Sequence, residues 1–300
     1  MRAARRRWPV SDTLTARFEA ARPHLSALAY RMLGSLQDAE DAVQEAWLRL
    51  SRDQAGVEAI ANLDAWLTTV VARICLNTLR ARRVRRGEEL VPQVPDPIVD
   101  AVGESDPAHR AMLADAVGLA LFVVLDTLPP AERLAFVLHD IFTVPFDQIA
   151  PIVERSPEAT RKLASRARRR IQDAAPVPDA SLHAQAVVVD AFFAAGRAGD
   201  FDRLISVLHP DVALRGDFGP GAVRLVRGAS AVAGLARGYA APEREVRAAA
   251  VNGAAGAVVF VAGRATAVMG FVVRDGRIAA IDVLADPARL ARIDLSAVGG

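Results

Sequence analysis

VPFDQIAPIVERSPEATRKLASRARRRI, residues 144–171, holds two short helical patterns divided by a turn. Pro145 suits a first helical turn, and Phe146, Ile149, Ile152 and Val153 recur at helical spacing. Glu154-Arg155-Ser156 breaks that pattern, and Ser156 followed by Pro157 reads as a helix N-cap and first helical residue. In the second helix Leu163, Ala164, Ala167 and Ile171 share one face. Arg161, Lys162, Ser165 and Arg169 lie opposite, with Arg166 and Arg168 flanking them. A capped turn between two short helices, with a one-sided cationic face, describes a helix-turn-helix whose second helix enters the DNA major groove. Guanidinium forks can read guanine edges through two hydrogen bonds, while more distal arginines more often sit on phosphates.

The surrounding composition agrees with local rather than global DNA affinity. The 300 residues carry a net charge of only +2, and their arginines cluster at Arg2–Arg7, Arg80–Arg86 and Arg161–Arg170. That length exceeds one typical domain, and a 52% hydrophobic content is enough to bury sizeable cores. Cys75 is the single cysteine, which excludes an intramolecular disulfide and a cysteine-based zinc site. No apolar run reaches the length of a membrane span, and no apolar signal core follows the N-terminal arginines. The expectation is a cytoplasmic protein that does not enter a membrane. No motif calls for a cofactor or a metal.

Taken in order, residues 1–11 read as a loose basic tail. Leu14, Phe18, Ala21, Leu25, Leu28 and Met32 predict an amphipathic helix that ends near Gly34. A second helix from about Asp38 to Leu50 has a core face of Leu36, Ala39, Val43, Ala46, Trp47 and Leu50. Its other face holds Asp38, Asp41 and Glu45, with Gln44 and Leu48 beside them, and has the character of a partner surface. A third helix, about Leu63 to Arg86, places Trp66, Leu67, Val70, Val71, Ile74 and Ala81 in the core. Thr69, Arg73, Leu76, Arg80 and Arg83 fall on another face, near Asn77, where they could grip a nucleic-acid backbone. Residues 87–108 are proline-rich and acidic, a linker; helices follow at about 107–126 and 130–141. After a second linker at 174–180 the texture changes to helices at 181–197 and 200–208. Apolar runs at 244–251, 257–262, 266–273 and 277–284, with turns at Asn252-Gly253, Gly263-Arg264 and Asp275-Gly276, predict an antiparallel meander in an α+β domain.

SLQDAEDAVQEAWLRL followed by LDAWLTTVVARICLNTLRARR resembles region two of bacterial sigma-70 family factors, and LPPAERLAFVLHDIFTVPFDQIAPIVERSPEATRKLASRARRRI resembles their region four. Two such domains without other sigma regions resemble the extracytoplasmic-function (ECF) subfamily, and the C-terminal part resembles a SnoaL-like domain. The resemblance implies a multidomain chain: region two at 12–86, a linker at 87–108, region four at 109–173 and an α+β, cone-shaped SnoaL-like regulatory domain at 181–296. It implies core RNA polymerase and promoter DNA as partners, with no catalysis and with activity modulated by the C-terminal domain. Asp38, Asp41, Gln44 and Glu45 would meet the polymerase, and Arg73, Asn77 and Arg80 the minus-ten element. Arg161, Lys162, Ser165, Arg166 and Arg169 would meet the minus-thirty-five element. Three motifs of the SnoaL-bearing group are present in altered form: Gln93-Val94-Pro95-Asp96-Pro97, Asp217-Phe218-Gly219-Pro220-Gly221 and Asp286-Pro287-Ala288-Arg289-Leu290. From these, Asp217, Gly219, Gly221, Asp286, Pro287 and Leu290 are expected to make regulatory contacts, with Asp286-Pro287 to Leu290 docking on the linker near Pro95-Asp96-Pro97, and the C-terminal cavity could take a small-molecule ligand.

Two other readings stay open on the residues alone. An isomerase or cyclase would use His209, Asp211, Asp217 and Asp282, since a positioned carboxylate and imidazole can move a proton. His209-Pro210-Asp211, however, stands where a helix gives way to a strand, a capping position as much as a catalytic one. A stand-alone, ligand-sensing helix-turn-helix regulator would leave the acidic ridge and the third helix unexplained.

Overall fold

Helix α1 (Asp12–Leu33) buries Leu14, Phe18, Leu25, Leu28 and Met32, the residues whose spacing marked its apolar stripe. The computed structural model describes residues 12–52, 62–86, 94–104, 106, 107, 109, 113, 118–174, 181–219, 222–238 and 243–299. The basic run Arg2–Arg7, the start of the expected linker and nearly all of the 174–180 tether lie outside them. Gly34, with φ +67°, turns the chain from α1 into α2 (Leu36–Arg52), which buries Ala39, Ala42, Val43, Ala46 and Leu50.

Helix α3 (Leu63–Arg86) packs on both, and also against α5 (Pro130–Phe136) and α6 (Phe146–Val153). Having neighbours on two sides widens its buried arc to Leu67, Val71, Cys75, Leu76 and Leu79. Spacing alone puts Leu76 outside and Ala81 inside; in the structure Leu76 is buried and Ala81 exposed. Of the helix expected at 107–126, the structure describes α4 (Gly118–Thr127), and most of the earlier part lies outside the described residues. A π-helical turn (Val137–Ile141) extends α5 toward α6. Glu154 ends α6 in the left-handed region at φ 58°, and Ser156 Oγ caps α7 (Pro157–Ala174) by accepting from Ala159 N at 3.2 Å.

Sequence patterning separates two helical units by a linker, but their apolar faces meet in one core. It runs from Phe18 and Leu28 through Leu76 to Phe122, Leu134, Ile149 and Ala167. Tyr30 packs on Phe122 at 4.7 Å between ring centres, and His24 meets Phe142 edge-on at 5.0 Å. Arg133, only 2% exposed, donates to the Arg31 carbonyl at 3.0 Å and faces Asp126 at 3.3 Å. Burial pulls its pKa down to about 10, against the opposing pull of Asp126.

The C-terminal unit is α+β, as the resemblance implied. Strands β1 (Val99–Asp100), β2 (Leu208–Asp217), β3 (Val223–Arg227), β4 (Arg244–Val251), β5 (Ala254–Val261), β6 (Arg264–Arg274) and β7 (Arg277–Leu284) form one sheet in the order β1-β4-β5-β6-β7-β2-β3. The meander from β4 to β7 turns at Asn252-Gly253, Ala262-Gly263 and Asp275-Gly276, all at positive φ, so the second turn falls one residue before its expected place. The strand expected at His209-Pro210-Asp211 is β2, but its bounds and partner were not legible, nor was β3; β2 joins parallel to β7, a pairing no hairpin turn announces. Helices α8 (Leu182–Ala198), α9 (Phe201–Val207) and α10 (Ala229–Gly238) cover one face and bury Phe192, Leu204, Val232 and Phe271 with them. The opposite face takes Val94, Val99, Leu290 and Ile293, and α4 lies against β6 and β7. The expected linker is therefore structured where described: Val94 to Asp100 is buried throughout, and Val99 pairs with Val251.

His24 offers a check on the shared core. Its side chain is exposed, but partial desolvation lowers its pKa below the ordinary histidine value, despite the nearby Asp64. A depressed histidine stays neutral in the fold while the unfolded chain protonates, so stability falls as pH drops through the unfolded pKa of about 6.5. The urea midpoint should fall between pH 7 and 5.5, and His24→Phe should make that fall smaller.

Candidate functional site

The exposed faces of α2, α3 and α7 come first. On α2, Asp41 and Gln44 are exposed and Glu45 accepts from Arg49 Nε at 2.9 Å, with Leu48 exposed beside them. Asp38, at the start of the ridge, pairs with Arg82 of α3, which also donates to the Leu33 carbonyl at 2.9 Å. On α3, Arg73, Asn77 and Arg80 are all exposed and follow one another at helical spacing. On α7, Arg161, Lys162, Ser165, Arg166 and Arg169 are exposed while Ala164 and Ala167 are fully buried, the amphipathic division the sequence predicts.

A second centre lies where the three altered motifs converge. Asp286 caps the short helix α11 (Pro287–Leu290) by accepting from Ala288 N at 2.8 Å. Arg289, on α11, donates Nε to Asp96 Oδ1 at 2.9 Å, Nη2 to the Val94 carbonyl at 2.7 Å and Nη1 to Asp217 Oδ2 at 2.6 Å. The other oxygens are occupied too: Asp96 Oδ2 accepts from Leu36 N at 2.9 Å and Asp217 Oδ1 from Gly219 N at 3.0 Å. Gly219, at φ +116°, lies close enough that an added Cβ would sit 3.8 Å from the Asp286 carboxyl carbon. Pro287 starts α11, Leu290 is buried with Val94 and Val99, and Gly221 lies outside the described residues.

Beside it is a fully buried hydrogen-bond relay. Tyr30 Oη donates to the Asp96 carbonyl at 2.5 Å and accepts from Asn252 Nδ2 at 2.9 Å. Asn252 Oδ1 accepts from Ile98 N at 2.9 Å. Burial pushes the Tyr30 phenol well above its ordinary pKa, so it remains a donor. Arg292 reaches Gln37 at the start of α2. An open cavity of about 790 Å³ is lined by Gln37, Arg82, Asp96, Phe122, Arg133 and Arg289 among others, so both helical units, the linker and the C-terminal segment meet there. The docking of the Asp286–Leu290 segment on the linker near Asp96 is as expected from the sequence, which missed Tyr30 and Asn252 and did not single out Arg289. Arg289 stood inside a recognised motif, and a basic side chain between two acid-bearing motifs was the signal that could have found it.

The candidate acid–base residues do not assemble. Asp282, 1% exposed, is held by Arg215 at 2.6 and 3.2 Å, and Asp217 is held by Arg289. His209 accepts from Asp211 N at 3.2 Å and lies 3.1 Å from Arg274 Nη2, a turn and a cationic neighbour rather than a dyad. Among the described residues no cluster of ligand-type side chains could hold a metal, and no helix is long and apolar enough to cross a membrane.

Comparison with known proteins bears on these surfaces directly. The Sigma-70 region 2 family model matches residues 17–85, and the Sigma-70, region 4 model matches residues 119–171. The ECF RNA polymerase sigma factor SigJ of Mycobacterium tuberculosis is 41% identical over 292 residues, covering 90% of this chain and 91% of that protein. This chain belongs to the ECF RNA polymerase sigma factor family. The ECF sigma factor is also 36% identical over 296 residues to the probable ECF RNA polymerase sigma factor SigI of the same species, covering 96% of this chain and 99% of SigI. The crystal structure of the Mycobacterium tuberculosis extracytoplasmic function sigma factor SigJ superposes with a TM-score of 0.72 at 38% identity, covering 94% of this chain and 99% of SigJ. Family members are transcription initiation factors, not enzymes.

In this ECF sigma factor Tyr30→Phe should keep the ring packing against Phe122 but strand the Asp96 carbonyl and the Asn252 amide. The expected loss is about 1–3 kcal/mol in urea unfolding, the cost of buried groups left unsatisfied.

Proposed function

We propose that the chain binds core RNA polymerase through Asp38, Asp41, Gln44 and Glu45 and reads promoters with two helices, while its own C-terminal domain holds it in a closed, inactive form. Arg73, Asn77 and Arg80 face the minus-ten element, and the exposed side of α7 faces the minus-thirty-five element. Regulatory contacts run through Asp217, Gly219, Gly221, Asp286, Pro287 and Leu290, with Arg289 as their centre. Cytoplasmic action follows, since the partners are core polymerase and DNA.

One observation carries the clamp: the guanidinium of Arg289 joins Asp96, Asp217 and Val94, and so ties the linker to the C-terminal domain. The shared core supplies the reason it matters. Elements centred about 25 base pairs apart are separated by roughly 85 Å of duplex at about 3.4 Å per base pair. Two reading helices whose supports pack into one core must separate to span that length. A cavity of about 160 Å³ between α8 and strands β4 and β5 is smaller than typical ligand sites, which favours a mechanical over a ligand-sensing role.

Arg289→Ala should enlarge the hydrodynamic radius and raise promoter-dependent transcription severalfold. Unchanged radius and transcription would remove the clamp. Reversing both Asp41 and Glu45 to lysine should abolish co-elution with core polymerase while the circular dichroism spectrum is kept.

A further inference from the structure

Six cations stand on the exposed side of α7, and the structure sorts them by partner. Arg161, Ser165, Arg169 and Lys162 occupy the centre of that face by helical spacing. Among the described residues none of these three cations has an ion pair; Arg161 lies over the Phe146 ring at 5.4 Å. The flanks differ. On one side Glu132 of α5 stands beneath Arg166 and Arg170, with Oε1 3.4 Å from Arg166 Nε and Oε2 3.4 Å from Arg170 Nη1. On the other, Asp140 Oδ1 accepts from Arg168 Nε at 2.9 Å.

Glu132 is the more telling of the two anchors. Its side chain is 6% exposed, whereas Arg166 and Arg170 are 60% and 54% exposed, and its Oε2 has no hydrogen-bond partner among the described residues. Contacts of 3.4 Å outside hydrogen-bond geometry are charge contacts, and exposed arginines gain little stability from them. A buried carboxylate with so little to accept is costly for the fold alone. Its effect is directional instead: it holds one edge of each guanidinium against the protein and leaves the opposite edge to DNA. A helix with side chains is about 10–12 Å across and the major groove about 12 Å wide, so helix flanks meet the groove walls and the centre meets the floor. Phosphates form the walls and base edges the floor.

We propose that Glu132 and Asp140 are positioning residues that hold Arg166 and Arg170 on one flank and Arg168 on the other as phosphate contacts, leaving Arg161, Lys162, Ser165 and Arg169 to read bases. This rests on the reading of α7 as the promoter-recognition helix, and it moves Arg166 from the base-reading set to the backbone set.

The test uses the full chain assembled with core polymerase. Wild-type holoenzyme selects a promoter fragment from a pool randomised upstream, and affinities are then measured for that fragment and its single-base variants across a potassium chloride series. Arg166→Ala, Arg168→Ala and Arg170→Ala should each weaken all fragments by a common factor and lower the salt slope by about one, leaving the ranking of fragments unchanged. Glu132→Gln should retain or raise affinity for unrelated duplex, yet reduce discrimination severalfold; Glu132→Asp should restore part of it. If Arg166→Ala instead reshuffles preference at one base pair, Arg166 reads that base and the proposal fails. It fails also if Glu132→Gln leaves discrimination intact, or lowers all affinities together with the melting temperature, the mark of a purely structural residue. Arg161→Ala and Lys162→Ala report on the underlying assignment: should neither alter affinity or preference, α7 is not the reading helix.

Discussion

Arg289 places a single guanidinium between two carboxylates that the fold has taken out of water. Asp217 is 2% exposed at its side chain and Asp96 12%, so neither can be left without a cation or a set of donors. Arginine suits the position because its planar fork serves Asp96, Asp217 and the Val94 carbonyl in different directions at once. A lysine, with one rotatable ammonium, could not hold all three in fixed geometry. Breaking a buried pair by removing one partner costs about 3–5 kcal/mol, more than its formation gains, because the survivors stay buried. The contact therefore specifies a geometry more than it adds stability.

That geometry organises the rest. With Asp96 held, the chain from Val94 to Asp100 lies against the sheet, Val99 extends it beside β4, and Asn252 closes on Tyr30. The sheet is consequently covered on both faces, by its own helices on one side and by α4, the linker and the C-terminal segment on the other. A domain that would be half wet alone is here part of a three-layer body.

Much of this was legible. Helical spacing located the buried stripes of α2, α6, α7 and the first turns of α1, where one side packs and period decides exposure, whereas Ala27 to Leu33 of α1 are buried all round. It failed for Leu76 and Ala81 because α3 is flanked on two sides. The Asn-Gly and Asp-Gly turns marked the meander, but the pairing of β2 was hidden: its partner β7 runs parallel and lies some seventy residues on in sequence, so no local signal announces it. The exposed residues of the DNA-facing helices could be named from the wheel. Between domains the motifs led to the docking of Asp286–Leu290 beside Asp96, but Tyr30 and Asn252 lie in no motif and become neighbours only through tertiary packing. Asp38 shows the same limit, for the wheel places it on the ridge but gives no sign of its ion pair with Arg82.

The pairing of β1 with β4 also sets an order of events at the ribosome. Val99 and its partner Val251 are far apart in the chain, and synthesis adds about 5–20 residues per second, so roughly 8–30 s separate their emergence. During that interval the helical segments and the residues around Val99 have no sheet to join. Each newly made molecule thus passes through a period in which the two helical sigma regions exist before the sheet domain they pack against, and its length scales inversely with translation speed.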